Sequence, residues 1–373
     1  MVRIAVLLLL LSIPQAVMAQ WQPDGVPLCA AAGEQSVPLT AYDGAGGVIV
    51  VWHDYRSGAS ADLYAQRIDA SGTPLWNADG VAVCTAINSQ QGLGIAPDGQ
   101  GGLIVAWEDW RGGTTPDIYA QRIDASGAML WTAGGVVVCG AARVQNATLV
   151  VADGSGGAVI AWADRRNDPG HQKEIYAQRI DATGAPRWTP DGVLLISAAT
   201  DIYPATITGD GDHGAIIVWL GAGANNVYAK RIDGSGTPLW TAGGVALCTA
   251  SGTEQTPRAV SDGAGGAIVV WQDNGRVAAY CQRVDASGGV LWTVDGVTTS
   301  SVAGGGYGPS AISDGVGGVI VAWSDERNSA FSDIYAQRLD PSGSPVWDAA
   351  GVPICDATNS QIFQSTRSLA SQL

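Results

Sequence analysis

The sequence predicts an all-β protein: a six-bladed β-propeller of four-stranded antiparallel blades, its ring closed near the N- and C-terminal strands. Three observations lead there. Tryptophan, tyrosine and arginine recur in one order six times, each copy carries short apolar runs bounded by glycine-rich turns, and the variation in copy length falls in a single connection.

Tryptophan supplies the ruler. Trp52, Trp107, Trp162, Trp219, Trp271 and Trp323 each end an apolar run, and Trp76, Trp131, Trp188, Trp240, Trp292 and Trp347 each follow a D-x-[ST]-G turn. Between them lie Tyr64, Tyr119, Tyr176, Tyr228, Tyr280 and Tyr335, mostly within Tyr-Ala-Gln-Arg-Ile-Asp. Trp21 belongs to the second series, which leaves Trp110 alone outside the pattern. The step from tyrosine to the second tryptophan is always 12, and from there to the next copy's first tryptophan it is always 31. From first tryptophan to tyrosine it runs 12, 12, 14, 9, 9, 12, so this connection is read as a surface loop.

The elements follow in order. Residues 37–41 read as a strand leading into the Asp43-Gly44-Ala45-Gly46-Gly47 turn, where glycine can take positive φ. Residues 48–52 are apolar on both alternating faces, which implies a strand buried on both sides rather than one half of a sandwich. Residues 63–69 form the next strand, and Asp69-Ala70-Ser71-Gly72 turns the chain into another from 74–76 onward. Residues 20–360 therefore read as one propeller domain of six repeats, with 361–373 a tail or partial further copy.

Residues 1–19 read as a cleavable secretory signal: Arg3, an apolar stretch over 4–13, Pro14, and Val17-Met18-Ala19 ahead of a cut that leaves Gln20. The apolar stretch is shorter than the ~18 residues that span a bilayer, so no transmembrane segment is expected, and the setting is secreted or periplasmic. A net charge of −15 excludes nucleic acid as a partner. At 46% hydrophobic and 14% charged residues, the chain is expected to pack a core.

The stretch Tyr119-Ala120-Gln121-Arg122-Ile123-Asp124-Ala125-Ser126-Gly127-Ala128-Met129-Leu130-Trp131 resembles the tryptophan-docking repeat of pyrroloquinoline-quinone-type propellers. The glycine-to-tryptophan step of four matches, while the aspartate-to-glycine step of three is one shorter than that pattern. The wider W-x-D-x-R…D-[IL]-Y-A-Q-R-[IL]-D signature is similar to repeats of secreted bacterial proteins without assigned activity. The resemblance implies a propeller in an extracytoplasmic setting. It does not bring the quinone family's catalysis, since neither a vicinal cysteine pair nor a Cys-x-x-Cys-His haem motif is present.

Six internal copies separate structure from function: a residue present in every copy serves the blade, and one present once can serve a site. By that rule Arg67, Arg122, Arg179, Arg231, Arg283 and Arg338 are structural, bonding carbonyls or a carboxylate between blades. Asp54/Arg56, Asp109/Arg111, Asp164/Arg166 and Asp325/Arg327, with Asp273/Arg276 one residue looser, read as exposed loop ion pairs worth under ~1 kcal/mol. Cys29, Cys84, Cys139, Cys248 and Cys355 share a position with Ile196 and Ser300, which marks packing rather than metal ligation. Cys29 with Cys355 remains open as a disulfide if the terminal strands meet. His53, His171 and His213 complete no recognisable constellation, so no catalytic residue, metal or cofactor is assigned.

The variable loop collects the candidate binding residues Tyr55, Arg56, Trp110, Arg111, Arg166, His171, Arg327 and Phe331, together with Arg165 and Lys173. Aromatic and arginine side chains together suit recognition, and plain solvated loops are the alternative. Two functions follow: a monomeric, exported, non-catalytic binding or scaffold module for a protein, glycan or envelope partner, or a propeller enzyme (polysaccharide hydrolase or lyase, or quinone-dependent dehydrogenase) with its site at the channel mouth.

Overall fold

The apolar run at 48–52 becomes the second strand of a four-stranded antiparallel sheet in the computed structural model, which describes residues 25–58, 60–167, 173–199, 202–221, 225–302, 304–327 and 331–355. The leader at 1–19, Trp21, His171 and the tail at 361–373 lie outside the described residues. In blade 1 the strands are Gln35–Tyr42, Val48–Asp54, Asp62–Ile68 and Val81–Cys84, hydrogen-bonded in chain order. Five more sheets repeat this order over 90–139, 145–196, 204–248, 254–298 and 305–355, giving the six blades of a β-propeller. First strands of neighbouring blades lie against one another, so they face the axis and the short fourth strands lie outside.

Within a blade the register pairs Trp52 with Tyr64, and their rings stack with centroids 6.4 Å apart. The same pair recurs in all six blades. The segment 74–76 differs from expectation: it makes a single bridge, Ile68 to Pro74, and the fourth strand starts only at Val81. The buried Gln66 amide explains this by taking the place of a ladder. Its oxygen accepts the N–H groups of Arg67 and Trp76, and its nitrogen donates to the Asn77 carbonyl. Gly80 then passes beneath Trp52 with φ +85°, where a Cβ would sit 2.5 Å from the ring.

Blades are joined by a repeated two-donor contact on one carbonyl. Trp76 Nε1 and Arg67 Nη1 both donate to the Ala125 carbonyl of blade 2, at 3.2 and 2.9 Å. Trp131 and Arg122 do so to Ala182, Trp188 and Arg179 to Gly234, Trp240 and Arg231 to Ala286, and Trp292 and Arg283 to Pro341. Five of the six arginines thus meet a carbonyl between blades, as expected, and all six meet a carboxylate in their own blade, Asp43 for Arg67 and Asp314 for Arg338. Apolar clusters fill each boundary from blades 1–2 to blades 5–6.

The sixth boundary is different. Among the described residues no core cluster joins blade 6 to blade 1; Val50, Trp52 and Ile68 of blade 1 are covered by Leu28 and Cys29. Ala30 N–H donates to Asp79, just as Gly140 N–H after a true fourth strand donates to Asp191. Residues 25–30 therefore latch onto blade 1 as a fourth strand would. On blade 6, Ile312 is 43% exposed and Ile354 62%, while their blade-2 counterparts Ala96 and Val138 are 1% and 3%. Closure of the ring is not displayed by the described residues.

The glutamine contact predicts a stability effect. Gln121→Ala strands the buried Arg122 and Trp131 N–H groups and should cost about 2–5 kcal/mol in urea unfolding, against under about 0.5 kcal/mol for exposed Leu130→Ala.

Candidate functional site

The connections between second and third strands leave every blade at the same end, because all six sheets share one strand order. Each begins on the aspartate that closes the second strand. Asp54 is wholly buried there: Arg56 Nε and Nη2 clasp it at 2.8 and 2.7 Å, and Trp52 Nε1 donates at 2.8 Å. Arg56 also donates to the Asp79 carbonyl and lies 3.7 Å over the Tyr64 ring. Asp109/Arg111 and Asp325/Arg327 repeat the arrangement, and Arg166 reaches Asp164 through Nη2 and its backbone N–H while lying over the Tyr176 ring.

The expectation of weak, exposed ion pairs is therefore corrected. Each carboxylate is inaccessible to water, and each guanidinium is held by a carboxylate, a carbonyl and a ring. Burial alone would raise the Asp54 carboxyl, but the hydrogen bonds from Arg56 and Trp52 outweigh it and hold it down at about 2. Arg56, Arg111, Arg166 and Arg327 thus brace the loop from inside the blade.

The cysteines belong to the same brace. Arg56, Arg111, Arg166 and Arg276 donate to Cys29, Cys84, Cys139 and Cys248 of the preceding fourth strand at 3.0–3.4 Å, and Arg327 donates to Ser300. Ile196 stands opposite blade 4, the copy that lacks both aspartate and arginine. An acceptor occurs where there is an arginine to bond, and a hydrocarbon where there is none. Burial pushes the Cys84 thiol up to about 11 and the Cys139 thiol to about 12. Cys29 and Cys355 are both free thiols.

What remains for solvent is the residue between aspartate and arginine: Tyr55, Trp110, Arg165 or Glu326. Trp110 is half-buried, and its indole N–H has no partner. Its backbone is pinned, with N–H donating to Ser89 and the carbonyl accepting from Gly113 N–H and Asn88 Nδ2. Trp110 lines an open groove of about 620 Å³ with Ser60, Asn88, Ser89, Gln91 and Gly113. The groove lies between the loops of blades 1 and 2, and none of these lining residues carries a charge. Tyr55 sits half-buried in the adjacent loop, and Phe331 is 50% exposed in the blade-6 loop.

Two other candidates turn inward. Lys173 is buried, donating to Asn146 and resting 4.1 Å over Tyr203. His213 bonds the Asp153 carbonyl across a blade boundary, while Asp210 pairs with Arg231, so that turn is structural.

Sequence reasoning missed Ser60, Asn88, Ser89 and Gln91, which carry no motif and meet Trp110 only through the fold. It also missed the position between tryptophan and aspartate, where His53, Glu108, Ala163, Leu220, Gln272 and Ser324 vary inside an otherwise repeated strand. Copy comparison would have found it. Glu108 accepts Ala147 N–H and Gln272 accepts Gly308 N–H, each reaching the next blade's first strand.

No protein-family model and no characterised relative matches the sequence. Solved structures do. An ulvan lyase of polysaccharide lyase family 25 aligns at TM-score 0.50 and 13% identity, covering 82% of this chain and 79% of the lyase. The lectin SapL1 in complex with α-methyl fucoside aligns at 0.43 and 13%, covering 87% and 96%. A Dyadobacter fermentans protein of unknown function aligns at 0.46 and 10%, covering 84% and 96%. The chain shares the fold of the lyase. Among the described residues no helix is long and apolar enough to cross a membrane.

The brace predicts an acid-dependent stability. A carboxyl depressed from 3.8 to about 2 stabilises the fold at pH above its unfolded value and loses that contribution as pH falls through about 2. Asp54→Asn should therefore cost about 2 kcal/mol in urea unfolding at neutral pH, and the gap from wild type should close between about pH 4 and pH 2.

Proposed function

We propose that this protein is an exported, non-catalytic recognition module that binds a neutral glycan on its variable-loop face, in the groove at Trp110. The observation that carries this reading is the groove's chemistry. One aromatic ring stands beside two amides and two hydroxyls, with no ionic group. A sugar offers the matching surface: C–H faces for the ring, and hydroxyls that both donate and accept for Asn88, Gln91, Ser60 and Ser89. The net charge of −15 favours a neutral partner over an acidic polysaccharide. The leader at residues 1–19 supports export.

The division of labour in the loop supports the module further. Because Arg111 is bound within the blade, the residue before it can change without loosening the strands. Tyr55 extends the aromatic surface from blade 1. Affinity electrophoresis in gels cast with neutral or acidic polysaccharides tests the proposal. Wild-type protein should be retarded by a neutral polymer; Trp110→Ala should weaken that retardation at least about tenfold, with the melting midpoint within about 4 °C. Undiminished retardation of Trp110→Ala would reject this groove.

A further inference from the structure

We propose that Cys248, Glu254 and Asp273 form a site for one thiophilic divalent cation of the zinc or cadmium class, at the boundary of blades 4 and 5. The thiol sulfur and one oxygen from each carboxylate lie within 4.8 Å of one another. Cys248 Sγ and Glu254 Oε1 are already 3.4 Å apart. Bond lengths of about 2.3 Å to sulfur and 2.0–2.2 Å to oxygen put the sulfur and oxygen ligands of a tetrahedral ion about 3.5 Å apart, the separation Cys248 and Glu254 already have. All three residues are buried, at 1%, 0% and 0% exposure.

The copies show that this boundary is specially equipped. Its counterparts are Cys84, Gln90 and Asp109, and Cys139, Gln145 and Asp164, which carry a neutral amide in the place of Glu254. Gln90 Oε1 and Gln145 Oε1 are buried without partners, and so is Glu254 Oε2. The scaffold thus presents an unanswered acceptor at this position in three blades, and in blade 5 alone that acceptor belongs to a carboxylate. Glu254 Oε2, a buried carboxylate oxygen without a donor, is an atom that a cation can answer.

Arg276 sits beside the cluster, 2.6 Å from Asp273 Oδ2 and 3.3 Å from Cys248 Sγ. Arg276 Nε and Nη2 both meet Oδ2, whereas Oδ1 accepts only the Arg276 backbone N–H, at 2.7 Å, and retains a lone pair, so Asp273 can hold arginine and cation together. With the arginine counted, three ionised ligands leave two negative charges, which one divalent cation cancels. Mixed sulfur and oxygen donors select zinc or cadmium over calcium or magnesium. The inference stands apart from the groove at Trp110, which lies at another boundary.

The test uses the full chain, stripped with a chelator and titrated with Co²⁺ or Cd²⁺. A thiolate-to-metal charge-transfer band should saturate at one equivalent and be displaced by Zn²⁺. Cys248→Ser and Glu254→Gln should each abolish the band and weaken Zn²⁺ binding by more than about 100-fold, beyond the cost of outer-shell changes. Cys84→Ser should leave both intact. Both disabling variants install residues that this chain already uses at the equivalent positions, Ser300 and Gln90, so unchanged melting midpoints verify that they fold. Absence of the band in the wild type, or its survival in either disabling variant, overturns the proposal.

Discussion

The structure depends on one backbone carbonyl in each of blades 2 to 6 receiving two donors from the blade before it. An indole N–H and a guanidinium N–H converge on the residue after the turn aspartate, as on Ala125 and Ala182. The turn that offers this carbonyl is itself held by Asp124 Oδ1, which accepts the N–H groups of Ser126 and Ala128. The contact therefore ties a rigid turn to two side chains whose own positions are set by the buried glutamine. A Cβ at Gly127 would sit 3.0 Å from the Trp76 ring, so the turn docks on the indole only as glycine. This explains the constant spacings: moving either end by one residue would break both bonds.

Blade 4 shows what that network tolerates. Lys230 replaces the glutamine and donates to Thr241 and Ala242 carbonyls, supplying the donor role but no acceptor for the Trp240 N–H. Trp240 takes a positive φ of 65°, alone among the second-series tryptophans described. The same blade lacks the aspartate–arginine brace, and its tryptophan and tyrosine stack at 5.8 Å instead of about 6.4 Å. The clamp on Ala286 nevertheless survives, at 3.0 and 3.1 Å. Contact between blades is thus insulated from what happens in the loop.

Much of this was legible in the sequence because the constraint is periodic. Constant steps between tryptophan and tyrosine give the blade and its strand order, and the one elastic step gives the loop. The fourth strand was harder to place, since residues 74–76 look extended but give their hydrogen bonds to a side chain rather than a neighbouring strand. The brace was misread because Asp54 and Arg56 lie two apart next to a loop, and nothing in that spacing reveals that Trp52 and Cys29 enclose them. The groove was half visible: Trp110 broke the pattern, while Asn88 and Gln91 reached it only where the chain enters the first strand of blade 2.

The brace also decides where this fold can vary. An arginine held by a carboxylate, a carbonyl, a thiol and an aromatic ring fixes the end of its strand whatever the loop beyond it carries. Its satisfaction within the blade is what frees the residue before it. Blade 5 makes the point: Gly275 lengthens the link between Asp273 and Arg276, yet the pair still closes at 2.6 Å and the guanidinium still covers Tyr280 at 3.5 Å. A loop can gain a residue or change its apex without disturbing the strands beneath it. Tyr55, Trp110 and Glu326 are then three answers at one position on a common pedestal, and the surface they form is the part of the molecule least constrained by its own folding.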